Sequence, residues 1–110
     1  MGRFLYPRGI GASHGPVPPG YQEVHRWTDQ AEVNLWMSNG ATHIPPGIGG
    51  LGNRVYVTLP GAPQPPGTGP CRIEFCFPAA GLHQAGHALW RQIFQSVANT
   101  PIHNVRIFVP

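Results

Sequence analysis

The sequence predicts an α+β fold: a small, mostly antiparallel sheet with two helices and long Pro/Gly-rich loops. Three observations carry that expectation. The runs at 54–59 and 72–77 alternate apolar and polar residues with the period of a strand. The segments 29–40 and 85–97 instead repeat apolar residues at helical spacing. The 15 glycines and 14 prolines fall mainly between these segments, where turns and irregular connections belong. With a strand before 29 and another at the end, the expected order is strand, helix, strand, strand, helix, strand.

One domain is the natural count for 110 residues, and 41% hydrophobic content supplies a core. Charged residues are only 10%, well below the usual quarter. The balance is basic, at +3, and all seven basic residues are arginine. Arginine forks suit phosphates and carboxylates, so a nucleotide, an RNA or an acidic protein is an admissible partner. A compositional bias explains the arginines equally well, and so small a charge does not by itself imply nucleic-acid binding. Three Trp, three Tyr and five Phe argue against disorder for most of the chain. No apolar run approaches a membrane span, and the first residues lack the apolar core of a signal peptide. Export would therefore depend on something outside this chain.

Residues 1–20 hold five Gly and four Pro, ending in Gly15-Pro16-Val17-Pro18-Pro19-Gly20. That is the composition of a linker or tail, leaving 21–110 as a single domain. Phe4, Leu5 and Tyr6 are apolar enough to dock on a surface. Glu23–Trp27 reads as the first strand. Asp29 caps the first helix, and Glu32 is spaced to reach back in a capping box. Val33, Trp36 and Met37 form its inward stripe, and Asn39-Gly40 supply the stop.

The segment 42–52 places Gly47, Gly49 and Gly52 at dinucleotide-fingerprint spacing, but after a helix and before a strand, the wrong context. It reads as a flexible loop able to close over a ligand. In Arg54–Leu59, Val55, Val57 and Leu59 oppose Arg54, Tyr56 and Thr58. In Arg72–Phe77, Ile73, Phe75 and Phe77 oppose Arg72, Glu74 and Cys76. If the two runs pair in one sheet, Tyr56, Thr58, Arg72 and Glu74 can share a face. Their link, Pro60–Pro70, is long for a hairpin and is either a functional loop or a solvated excursion. Ala85–Val97 reads as the second helix, with Leu89, Ile93, Phe94 and Val97 inward. Val105, Ile107 and Val109 alternate in a final strand.

Chemistry-bearing residues are few. Cys71, Cys76, His83 and His87 invite zinc, the histidines by their His-x-x-x-His spacing. The cysteines, however, lie on opposite faces of a strand, and Gly81 and Gly86 weaken a helix there, so no metal is expected. On an extended strand the two cysteines stand about 16 Å apart, too far for a disulfide. They read as free thiols. No serine sits in a Gly-x-Ser-x-Gly elbow. Cys76 with a histidine is an admissible nucleophile, although a small buried thiol explains it more simply.

What remains is His25 and Arg26 on one strand, Tyr56 and Thr58 on a second, and Glu74 on a third. The progression Val24-His25-Arg26-Trp27-Thr28-Asp29, the run Arg54-Val55-Tyr56-Val57-Thr58 and Arg72-Ile73-Glu74-Phe75 resemble the ADP-ribosyltransferase-like C-terminal toxin domains of bacterial polymorphic toxins, including Rhs-type proteins. The resemblance covers about half the chain, Val24 to Phe77. It implies an ADP-ribosyltransferase-like fold and a mono-ADP-ribosyltransferase that takes NAD in a cleft and modifies a macromolecular target, protein or RNA. It also implies a larger carrier polypeptide, a secreted effector acting in the cytoplasm of a target cell, and a cognate immunity protein. His25 or Arg26 would anchor NAD, with Thr58 beside it. Tyr56 would stack on nicotinamide, and Glu74 would stabilise the oxocarbenium-like transition state.

Two other readings stand beside this one. A metal-independent ribonuclease toxin would draw an acid–base pair from His25, His83, His87 and His103, with Arg26, Arg54 and Thr58 on the phosphate. A non-enzymatic binding module would use the proline-rich segments for partner contacts. For Tyr56, Arg72, Glu74 and Arg26 taken singly, ordinary surface or strand roles are the simpler reading. Function gains only from their coincidence.

Overall fold

The computed structural model describes residues 3–6, 16–49 and 53–110. Among them seven strands form one sheet: β1 (Arg3–Tyr6), β2 (Tyr21–Thr28), β3 (Arg54–Thr58), β4 (Cys71–Pro78), β5 (His83–Ala85), β6 (His87–Phe94) and β7 (His103–Val109). The order across the sheet is β1-β7-β4-β2-β3-β6-β5, and every neighbouring pair is antiparallel. The one α-helix among the described residues, α1 (Gln30–Ser38), follows β2. The Cα radius of gyration, 12.6 Å, matches the value of about 13 Å expected for a compact chain of this length.

Helix α1 starts where its cap directs. The Asp29 carboxylate accepts the Glu32 N–H at 2.9 Å, and Gly40, at φ 73°, turns the chain away after Asn39. Only half of the expected capping box forms. The Glu32 carboxylate turns instead to Arg26 and to the Trp36 indole, because a guanidinium is the stronger donor. Val33 and Trp36 are fully buried, but Met37 is 39% exposed, so the inward stripe is narrower than its spacing suggests.

The core lies between α1 and one face of the sheet. Trp36 packs on Phe75 with ring centroids 5.1 Å apart. Val24, Val55, Ile73, Ile93 and Ile107 fill the same layer, with Ile44 and Ile48 added from the segment after the helix. Ile44 and Ile48 thus anchor the part of the 42–52 segment that is described; residues 50–52 lie outside the described residues.

Three sequence expectations change. The segment 85–97 is not a helix: β6 occupies most of it, and Gln95–Val97 is a short 3-10 turn. The runs at 54–59 and 72–77 share the sheet but do not pair, because β2 lies between them, in register with β4 along its whole length and bridged to β3 at His25–Thr58. Within the Pro/Gly-rich first twenty residues, Arg3–Tyr6 adds an edge strand to β7. The rest of the expected linker up to 15 lies outside the described residues.

Candidate functional site

Away from α1, one row of side chains crosses five adjacent strands. Arg106 on β7 pairs with Glu74 on β4, Glu74 with His25 on β2, His25 with Thr58 on β3, and Thr58 with Trp90 on β6. Cross-strand partners share a face, so the five line up on the side opposite the core. Arg106 and Glu74 make one half of the row ionic. The other half opens into a cleft. His25 stands where the halves meet.

In the ionic half, Glu74 is 6% exposed and survives there because it is paired. Arg106 reaches it at 2.6 Å, Arg72 Nε at 2.9 Å, and His25 Nε2 lies 3.7 Å away. Glu23, two residues before His25 on the same face, approaches the same imidazole nitrogen at 2.8 Å and Arg106 at 3.7 Å. The Arg72 guanidinium also lies 4.5 Å from the Phe108 ring centre, a cation–π contact. Donor atoms of Glu23, His25 and Glu74 come within 4.8 Å of one another, the spacing of a metal site. Two guanidinium groups already neutralise these carboxylates and would repel a cation. The cluster is an ion-pair network.

The cleft measures about 570 Å³, within the range of small-molecule sites, roughly 300–1,000 Å³. Its floor is built from alternate residues of neighbouring strands: His25 and Trp27 from β2, Arg54 and Tyr56 from β3, and Trp90 and Gln92 from β6. Tyr56 is 45% exposed, with its ring available for stacking. Thr58 is buried at 2% and directs its hydroxyl to the His25 carbonyl at 3.4 Å, so it shapes the floor without offering a free hydroxyl. Gln92 accepts from Arg54 Nη1 at 3.0 Å and donates to the Gln84 carbonyl at 3.1 Å, tying β3, β6 and β5 together beside the cleft.

The 60–70 loop contributes the facing wall through Pro65, Pro66 and Thr68. Thr68 donates to the Pro65 carbonyl at 2.7 Å, and Gln64 donates to Thr68 Oγ1 at 3.0 Å and to the Gly69 carbonyl at 2.8 Å. Gly69 lets this loop pass close to the end of β2. A Cβ there would stand 2.6 Å from the Thr28 carbonyl carbon and 2.8 Å from the Asp29 nitrogen. None of residues 42–49 lines the cleft, so the described part of that loop does not cover it.

His25 and Arg26 point to opposite faces, as strand neighbours must. The Arg26 guanidinium binds Glu32 through Nε at 2.9 Å and Nη2 at 2.8 Å, and gives Nη1 to the Tyr56 carbonyl at 2.8 Å. It borders the cleft but is committed to joining α1, β2 and β3. Burial pushes the Glu32 carboxyl up, yet the hydrogen bonds and charge of Arg26, with hydrogen bonds from Trp36 and Thr28, outweigh that and hold it below its ordinary value.

Known protein families, curated proteins and solved structures were all compared with the chain. None of them matches it.

The structure therefore brings His25, Tyr56 and Thr58 together on one floor, with Arg26 beside it. Glu74 it places one strand further, touching His25 but not lining the cleft. The zinc residues do not gather among the described residues. His83 stacks near Phe94 and His87 near Trp90, in a hairpin and not on a helix face. Neither lines the cleft, and His103 meets Tyr21 edge to face at the far side of β4, so among the described residues no second histidine joins His25 there. Both cysteines are buried. Burial raises the Cys76 thiol above its ordinary value, with Glu23 adding to the rise and Asn104 and Arg106 opposing it, so it does not ionise readily as a nucleophile.

Sequence reasoning missed Trp90, Gln92, Trp27, Glu23 and Arg106. The first two were hidden by the helical reading of 85–97. The signal that could have exposed them is the lack of a capping residue: Gln84-Ala85-Gly86 is a poor helix start, and Trp90, Gln92 and Phe94 alternate.

Proposed function

We propose that the chain is a toxin domain of the ADP-ribosyltransferase-like kind, taking NAD in its cleft and transferring ADP-ribose to a macromolecule of a recipient cell. The observation that carries this is the meeting of His25, Tyr56 and Thr58 with Trp90 on the floor of one ligand-sized cleft. NAD would supply an activated ADP-ribosyl group with nicotinamide as the leaving group. Tyr56 offers the exposed ring against which a nicotinamide stacks. His25 is the anchor of the two candidates, since Arg26 is spent on Glu32 and the Tyr56 carbonyl. Held by Glu23, its imidazole is placed to bind ribose or to accept the proton that an acceptor group loses.

Glu74 acts from behind. Its carboxylate, itself held by Arg72 and Arg106, flanks the His25 ring at 3.7 Å and with Glu23 fixes where that ring stands. It is a positioning residue, one strand away from the cleft. The Pro/Gly-rich first twenty residues suit a tail joining the domain to a larger carrier, and an immunity protein would act by covering the cleft.

The test incubates the chain with labelled NAD and a cell lysate, and in parallel with total RNA. Label transfer or nicotinamide release is expected, falling about tenfold or more in Y56A and H25A. In E74Q, kcat is expected to fall more than KM rises, with a displaced pH profile. A folded protein that neither transfers label nor releases nicotinamide overturns the proposal. RNA shortened without NAD hands the function to the ribonuclease reading. Expression in bacteria without a partner should slow growth, and Y56A should relieve it.

A further inference from the structure

We infer that Arg54 recognises the pyrophosphate of a dinucleotide bound in the cleft, so that the ligand lies along β3 with its phosphates at the Arg54 end and a ring at Tyr56. This rests on the nucleotide reading above and adds the residue that reads the anion. Charge pairing leads to it. The four acidic residues of the chain are all engaged: Glu23 and Glu74 with His25, Arg72 and Arg106, Glu32 with Arg26, and Asp29 with the start of α1. None of them lines the cleft.

Arg54 does line it, and its described contacts are to neutral groups only. Nη1 donates to Gln92, and the guanidinium lies 5.3 Å from the Phe94 ring centre. Its Nε is buried without a hydrogen-bond partner, so Nη2 and the second Nη1 proton are the donors left for a ligand. Its positive charge is thus held in place by a neutral amide and a ring while remaining uncompensated. A fixed guanidinium at the edge of an aromatic-walled cleft is a phosphate receptor, because its fork meets two oxygens at once. The strand spacing supports the layout. Tyr56 and Arg54 stand on the same face about 7 Å apart, so a ring at one and a phosphate at the other fall within a single nucleotide.

The experiment measures binding by intrinsic tryptophan fluorescence, using ADP-ribose, inorganic pyrophosphate and adenosine, which is uncharged and phosphate-free. Wild-type affinity for ADP-ribose and pyrophosphate should weaken with added salt, while that for adenosine should not. R54Q should lose about tenfold or more for the two phosphate-bearing probes and nothing for adenosine. R54K, keeping the charge without the fork, should recover part of the loss. R54Q binding all three probes as the wild type does would overturn the inference. So would phosphate-bearing affinities indifferent to salt, a measurement on the unmutated chain that stands even if R54Q fails to fold. Pyrophosphate binding that depends on Arg54 without any NAD turnover would keep the inference and remove the transferase reading. NAD turnover unchanged in R54Q would do the reverse.

Discussion

At the scale of single residues, the chain settles its few charges by pairing them in sheltered places. Glu32 is the clearest case. Its folded carboxyl sits below the ordinary range, so the unfolded chain takes up the proton first as pH falls. The stability from the Arg26–Glu32 pair is complete above the unfolded value of about 4.3 and is lost as pH drops through the lower folded value. E32Q should therefore cost about 2 kcal/mol at neutral pH. Urea melts from pH 7 to pH 3 should show that deficit shrinking with acid. A constant deficit would mean the pair is not what stabilises the fold. The thiols give a second prediction. Cys71 and Cys76 are buried and free, and burial, the larger cause, raises both above their ordinary value, with Asp29 adding to the rise at Cys71 and Glu23 at Cys76. A thiol reagent at pH 8 should label neither in the folded protein and both in denaturant. Rapid labelling of Cys76 before unfolding would return it to the candidate nucleophiles.

At the scale of elements, α1 is held by one ring more than by its whole stripe. W36A should cost about 3–5 kcal/mol, since it empties a fully buried site against Phe75. M37A, on an exposed side chain, should stay within about 0.5 kcal/mol of wild type. Thermal or urea denaturation checks both. The cleft wall has its own sensitive point. G69A drives a methyl group into the backbone at Thr28 and Asp29, so the 60–70 loop must shift. Ligand affinity should fall in G69A even where the melting temperature changes little; unchanged affinity would mean the loop is not part of the site. The 85–97 segment explains why one element was misread. Leu89, Ile93 and Val97 recur every four residues, and so do Trp90 and Phe94. Four is close to one helical turn and is also two strand periods, so this spacing fits both. Good helix formers then tilt the reading, and pairing with β3 along Arg54–Thr58 overrides them.

At the scale of the whole molecule, the described residues form seven antiparallel strands with one helix on one face, and the face away from that helix carries the candidate site. Far-UV circular dichroism should show a sheet-dominated spectrum with helix for about the nine residues of α1; a signal for a second long helix would contradict this architecture. The sequence by itself determined what depends on near neighbours. Alternation at Val55–Val57 and Ile73–Phe77 made strands, Asp29 started the helix, and Asn39-Gly40 ended it. It also set His25 and Arg26 on opposite faces, since adjacent strand residues cannot share one. Only the tertiary structure decided which strands adjoin, and so which side chains share a row: β2 between β3 and β4 set His25 beside both Thr58 and Glu74. It likewise decided that Glu74 stays among arginines outside the cleft while Trp90 enters it. Strand order is chosen by burial summed over the whole sheet, and no local spacing carries that sum.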